Sequence, residues 1–164
     1  MAEPGAPDAA ADTDRYAGVQ AALLARWPED KLEPSLHRMS ALVDLLGDPQ
    51  RAYPVIHVAG TNGKSSTARM IESVLRAFGL RTGLVTSPHL VDVRERILVD
   101  GEPVSVERFV EVYDDIEPYL TLVDAKFPDT PLSYFEVLTA MAFAAFADAP
   151  VNVAVIETGM GGTW

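Results

Sequence analysis

The sequence predicts an α/β domain, a mostly parallel sheet flanked by helices and carrying a phosphate-binding loop. Three observations predict it. First, the apolar run Val55-Ile56-His57-Val58-Ala59 feeds Gly60-Thr61-Asn62-Gly63-Lys64-Ser65-Ser66, and a helical pattern follows. Strand, glycine-rich loop and helix in that order converge main-chain N–H groups on an anion. Second, Thr82 to Thr86 reads as another strand after that helix, which makes a βαβ unit. Third, the apolar stretch Val151 to Ile156 runs into Glu157-Thr158-Gly159-Met160-Gly161-Gly162, a further strand ending in a loop that permits close approach of a ligand.

The remaining elements follow from periodicity. Residues 1–13, rich in Ala, Pro, Gly and Asp, read as a disordered tail. Tyr16, Val19, Leu23 and Trp27 fall at helical spacing until Pro28. Leu36, Met39, Val43 and Leu46 mark a second amphipathic helix, with Gly47 as its stop. The helix after the loop shows Met70, Ile71, Val74, Leu75 and Phe78 on one face and ends at Gly79. Asp100-Gly101 suggests a small hairpin, tempered by Pro103. Ser105 caps a helix bearing Phe109, Tyr113, Ile116 and Leu120, and 121–132 reads as loop. Tyr134 to Ala147 is a helix apolar on most sides. A last strand at the sheet edge would be open and apolar, so the chain is expected to be the front part of a longer protein.

Composition narrows the function classes. The 164 residues are one domain's worth, with 48% hydrophobic and 23% charged residues. A net charge of −11 and a pI near 4.5 argue against a nucleic-acid or acidic-membrane partner. The chain contains no cysteine, which excludes thiol chemistry and fits a reducing compartment. No signal-peptide pattern and no membrane-length apolar run is present, so the cytoplasm is the expected setting.

The residue types at the loop point to a nucleoside triphosphate. Lys64 can neutralise the β- and γ-phosphates, and the Ser65 hydroxyl can ligate Mg²⁺. The common G-x-x-x-x-G-K-[ST] spacing is not met, because its first glycine would fall at Val58. Glu136 is the only charged residue between Pro131 and Ala147. A lone carboxylate there is expected to bind metal or substrate, or to answer the helix dipole from the first turn. Glu157, at a strand's carboxyl end, is a candidate for ligand or metal-water contact. Ser87 and His89 lie on the same rim. His57 reads as a hydrogen-bonded core residue, and Arg94 and Arg96 as a solvated face.

Taken together, five segments resemble the folylpolyglutamate synthase/dihydrofolate synthase family of Mur-ligase-like ATP-dependent amide ligases. They are Ala59–Ser66, Thr86-Ser87-Pro88-His89-Leu90, Glu95-Arg96-Ile97, Ser133-Tyr134-Phe135-Glu136 and Glu157–Gly162. The resemblance implies that 14–164 is the N-terminal part of the family's ATP-binding central domain. It implies ATP and Mg²⁺ as cofactors, with dihydropteroate or a reduced folate and L-glutamate as substrates, in a monomer. The acid would be activated as an acyl phosphate and captured by the glutamate amine. Gly60, Thr61, Asn62, Gly63, Lys64, Ser65 and Ser66 would hold the triphosphate, and Lys64 and Glu136 would serve catalysis. Ser65, Ser87 and Glu136 would hold the metal. His37, Arg38, Met39, His89 and Glu157 would contact substrate. Thr163 stands where relatives often have arginine. The family's Asp-Ala-Thr-Asn run, a later histidine metal ligand, a carbamylated lysine and the C-terminal domain are expected beyond Trp164.

Two other readings stay open, a small-molecule phosphotransferase and a non-catalytic nucleotide-binding fragment. A GTP-driven switch would want Asn-Lys-x-Asp, which is absent. A small kinase would want a basic lid, and 97–164 holds only Arg108 and Lys126.

Overall fold

A computed structural model describes residues 9–28 and 35–160, with side chains from residue 13 onward. The chain runs α1 (Ala9–Leu24), α2 (Leu36–Leu45), β1 (Val55–Val58), α3 (Lys64–Ala77), β2 (Thr82–Val85), β3 (Ile97–Val99), β4 (Glu102–Pro103), α4 (Val106–Lys126), α5 (Tyr134–Asp148) and β5 (Val153–Glu157). The sheet has five strands in the order β1-β5-β2-β3-β4. β5 is parallel to both its neighbours, with Val58 opposite Glu157 and Val85 opposite Ile156. β3 and β4 are antiparallel additions. The expected α/β class with a mainly parallel core is what the chain adopts.

β5 is therefore flanked on both sides, which corrects the expectation that the last strand leaves an open edge. All its residues are buried, as a strand covered on both faces requires. Its alternation divides the core. Ala154 and Ile156 join the cluster built with Val19, Leu23, Phe109, Ile116, Leu120 and Phe146. Val155 faces Ala68, Leu84 and Leu98 under α3. The crossover from β1 through α3 to β2 thus skips one strand, and the gap it leaves is filled by β5.

Close packing of α5 on the sheet depends on Gly83 in β2. A Cβ there would meet the Phe146 ring at 2.8 Å. We expect Gly83→Ala to destabilise the fold by about 1–3 kcal/mol, read as a lowered thermal midpoint. An unchanged midpoint would show that the α5 contact has slack.

Several boundaries differ from the sequence reading. α1 begins at Ala9, inside the expected disordered tail, because three successive alanines are strong helix formers; residues 1–8 lie outside the described part. α2 buries Arg38 and Leu42, so its inner face is rotated from the one expected, while Leu36 is exposed. In α3, Ala68 and Glu72 are buried, whereas Met70, Val74 and Phe78 are exposed. The small Ala68 lets the helix lie close to the sheet, and Glu72 accepts from the Thr82 hydroxyl at 2.6 Å. α4 continues through the expected loop to Lys126, because Leu120 and Val123 extend its buried stripe. The hairpin forms as expected, with φ of 52° at Asp100 and 83° at Gly101, and Pro103 sits on the edge strand.

Candidate functional site

The phosphate loop lies at the carboxyl end of β1, and Lys64 is the first residue of α3. Gly63 occupies the N-cap at φ 74°, a left-handed conformation that favours glycine. No side chain caps this helix start. The N–H groups of its first turn are thus left for an anion, with the helix dipole behind them. Gly60, Thr61, Asn62, Gly63 and Ser66 are exposed, while Lys64 and Ser65 are half-buried.

Glu157 ends β5 beside this loop and is 4% exposed. Its Oε1 accepts from the Ser65 hydroxyl at 2.9 Å, and its Oε2 accepts from the Ser87 N–H at 3.0 Å. Strand order explains the meeting. β1 and β2 flank β5, so the loop after β1, the segment after β2 and the end of β5 share one crevice, where open α/β sheets bind ligands. The Thr158 N–H donates to the Val58 carbonyl at 2.9 Å, and the Thr158 hydroxyl lies 2.7 Å from His57 Nε2. His57 is exposed on this rim, which corrects its reading as a core residue.

Glu136 lies in the first turn of α5, one of the two settings the sequence left open for it. Arg38 Nε donates to its two oxygens at 3.1 and 3.3 Å, and the Ser133 N–H donates to Oε2 at 2.8 Å. Ser133 in turn accepts from the Glu136 N–H, closing a capping box at the start of α5. The side chains of Arg38 and Glu136 are 8% and 14% exposed. Of the two roles open in sequence, the first-turn role is the one that accounts for these bonds. The Glu136 oxygens are committed to a guanidinium and an amide, while those of Glu157 join two residues expected to hold metal. Arg38, expected to touch substrate, is turned inward to this carboxylate. His37 is exposed on α2 and its N–H is capped by Ser35, while Met39 packs half-buried against the core.

The second rim segment is more ordered than the sequence suggests. Arg96, read as solvated, is 6% exposed, donates from Nε to His89 Nδ1 at 2.9 Å and lies 5.2 Å above the Tyr134 ring. Arg94 pairs with Asp92 at 3.1 Å and sits over Tyr16. Arg69, which sequence reasoning passed over, donates to the Thr86 hydroxyl at 3.3 Å. Gly159 lies so close to Phe135 that an added Cβ would come within 2.8 Å of its ring. That contact sets the N-terminal turn of α5 against the rim.

Among the described residues, no group of three or more His, Asp or Glu gathers to hold a metal. A cation here would draw on one carboxylate, hydroxyl oxygens and the phosphates of a bound nucleotide. That hard, oxygen-only set fits Mg²⁺. Among the described residues no helix is long and apolar enough to cross a membrane.

No family model matches the chain. A dihydrofolate synthase/folylpolyglutamate synthase of Mycobacterium tuberculosis is 57% identical over 145 residues, covering 85% of this chain and 30% of the relative. Over most of its length the chain matches the N-terminal part of the dihydrofolate synthase/folylpolyglutamate synthases. The solved Mycobacterium tuberculosis folylpolyglutamate synthase, complexed with ADP, superposes with a TM-score of 0.87 at 54% identity, over 93% of this chain and 34% of that one. The folylpolyglutamate synthase of Thermotoga maritima gives 0.85 at 41% identity, over 92% and 34%. The chain thus spans about a third of the length of the folylpolyglutamate synthases it matches.

Proposed function

We propose that this chain forms the nucleotide- and magnesium-binding part of an ATP-dependent ligase that joins L-glutamate to dihydropteroate or to the γ-carboxyl of reduced folates. One observation carries the reading: Glu157 joins Ser65 of the phosphate loop to Ser87 at the mouth of the β1–β5–β2 crevice. ATP would lie along Gly60 to Ser66, its anionic tail facing the uncapped start of α3. Ser65, Glu157 and Ser87 would hold Mg²⁺, which when bound supplies charge neutralisation at the phosphates. The first relative's name and the ADP in the solved neighbour support the nucleotide and folate parts of this reading.

In the reaction, the carboxylate oxygen of the pterin substrate attacks the γ-phosphorus and ADP leaves. The glutamate amine then adds to the acyl carbon, and inorganic phosphate leaves. Lys64 supplies positive charge as the phosphoryl group transfers. His89, oriented by Arg96, and the aromatic start of α5 would bound the space for the substrate beside the loop. The Arg38–Glu136 pair holds α2 to that start and so acts on the site through structure. A monomeric, cytoplasmic enzyme is part of the same proposal, in keeping with the acidic, cysteine-free composition.

A longer protein carrying this chain is expected to release phosphate only with Mg-ATP, dihydropteroate or folate, and glutamate all present. Phosphate release without glutamate would contradict the ligase reading. The alternative of a non-catalytic nucleotide-binding fragment predicts Mg-nucleotide binding with no amide product even in the longer protein.

A further inference from the structure

Between β2 and β3 the chain closes on itself as a compact loop. At its neck the Thr86 N–H donates to the Arg96 carbonyl at 3.3 Å, and the Thr86 hydroxyl donates to the Glu95 carbonyl at 3.4 Å. The Glu95 side chain turns back inside. Its Oε2 accepts from the Leu90 N–H at 2.8 Å, and its Oε1 accepts from the N–H groups of Val91 and Asp92 at 3.0 and 2.9 Å. These bonds, the Leu90 amide first, hold the Glu95 carboxyl below the usual carboxylate range.

The tip has little packing to keep its shape, since the Leu90 and Val91 side chains are each 90% exposed. Polar clasps do that work instead: Glu95 on three successive amides, Tyr16 on Asp92 at 2.6 Å and Arg96 on His89. Of these, Glu95 alone fixes the backbone of the tip. The same loop begins at Ser87, whose N–H meets Glu157.

We propose that Glu95 is a positioning residue for the cation site, fixing the loop so that Ser87 stays against Glu157. The inference rests on the reading that Ser65, Ser87 and Glu157 hold Mg²⁺. Glu95 touches neither nucleotide nor metal and acts through the loop backbone. Glutamine in its place keeps one carbonyl oxygen for Val91 and Asp92 but presents a donor to Leu90, whereas alanine removes every acceptor. The expected order of effect is therefore wild type, then Glu95→Gln, then Glu95→Ala.

The test measures ADP affinity of the 164-residue chain with and without Mg²⁺ by calorimetry, together with amide hydrogen exchange. In Glu95→Ala the magnesium-dependent gain in affinity should fall by about tenfold, the low end for residues that orient metal ligands. ADP affinity without Mg²⁺ should stay as in wild type. Exchange should accelerate at Leu90, Val91, Asp92 and Ser87, but not in the buried strand β5. Glu95→Gln should show a smaller loss, and the exposed control Leu90→Ser none. A wild-type gain that Glu95→Ala retains would overturn the inference alone, as would faster exchange at 90–92 with Ser87 still protected. A wild-type chain showing no magnesium-dependent gain would overturn the cation site and this inference together.

Discussion

Glu157→Gln is expected to abolish most of the magnesium dependence of nucleotide binding. The carboxylate is buried, ends the interior strand β5 and joins the two candidate serines at the loop's mouth. Glutamine keeps a carbonyl oxygen for the Ser65 hydroxyl but turns an NH₂ group toward the Ser87 N–H, and it removes the charge that a hard divalent cation seeks. We expect roughly a hundredfold weaker Mg²⁺-dependent ADP binding, using the upper range for disturbed metal surroundings as a floor for a direct ligand. Titration calorimetry with and without Mg²⁺ reads this directly. Glu136→Gln serves as the contrast. Its bonds are to Arg38 and Ser133, so it should cost stability while the magnesium-dependent gain survives.

The second large effect belongs to Lys64→Ala. Lys64 opens α3, at the same end of the helix as the N–H groups that no side chain caps. Removing one preorganised charge aimed at a developing anion costs about a hundredfold to a thousandfold in turnover. We expect a loss of that size in the longer protein, with the thermal midpoint of the chain retained because Lys64 is not part of the core. A Lys64→Ala protein with near-normal turnover would show that the loop does not cradle the transferred phosphate.

Much of the fold was legible because its signals are local. The strand–loop–helix order at 55–78, the Asp100-Gly101 turn and the buried α5 each announce themselves within a short window. Strand order is not a local property. Nothing within 153–157 says that this strand enters between β1 and β2, and that placement is what brings Glu157 to Ser65. Rotation of α2 and α3 was missed for a related reason. A buried Arg38 or Glu72 makes sense only once Glu136 and Thr82 are seen opposite, so the polar partner overrode hydrophobic periodicity.

Glu136 shows how one spacing can support two readings. An isolated carboxylate in an apolar helix draws the eye as a metal ligand. The spacing Ser133-x-x-Glu136 is also a capping-box pattern, and it describes the bonds that form. The equivalent spacing Asp92-x-x-Glu95 was open to the same reading and explains why a stretch taken as solvated is tightly organised. His57 was placed in the core by its apolar neighbours, but β1 is an edge strand whose alternate residues face out.

In the proposed site the cation bound with nucleotide sits between Ser65, Ser87 and Glu157, with Glu136 serving the scaffold. A crystal structure of the chain with ADP and Mn²⁺, the ion located by its anomalous scattering, addresses this most directly. The peak is expected at the Glu157 carboxylate beside the Ser65 hydroxyl, with the Arg38–Glu136 pair intact. A peak on Glu136, with Arg38 displaced and Glu157 unligated, would contradict it.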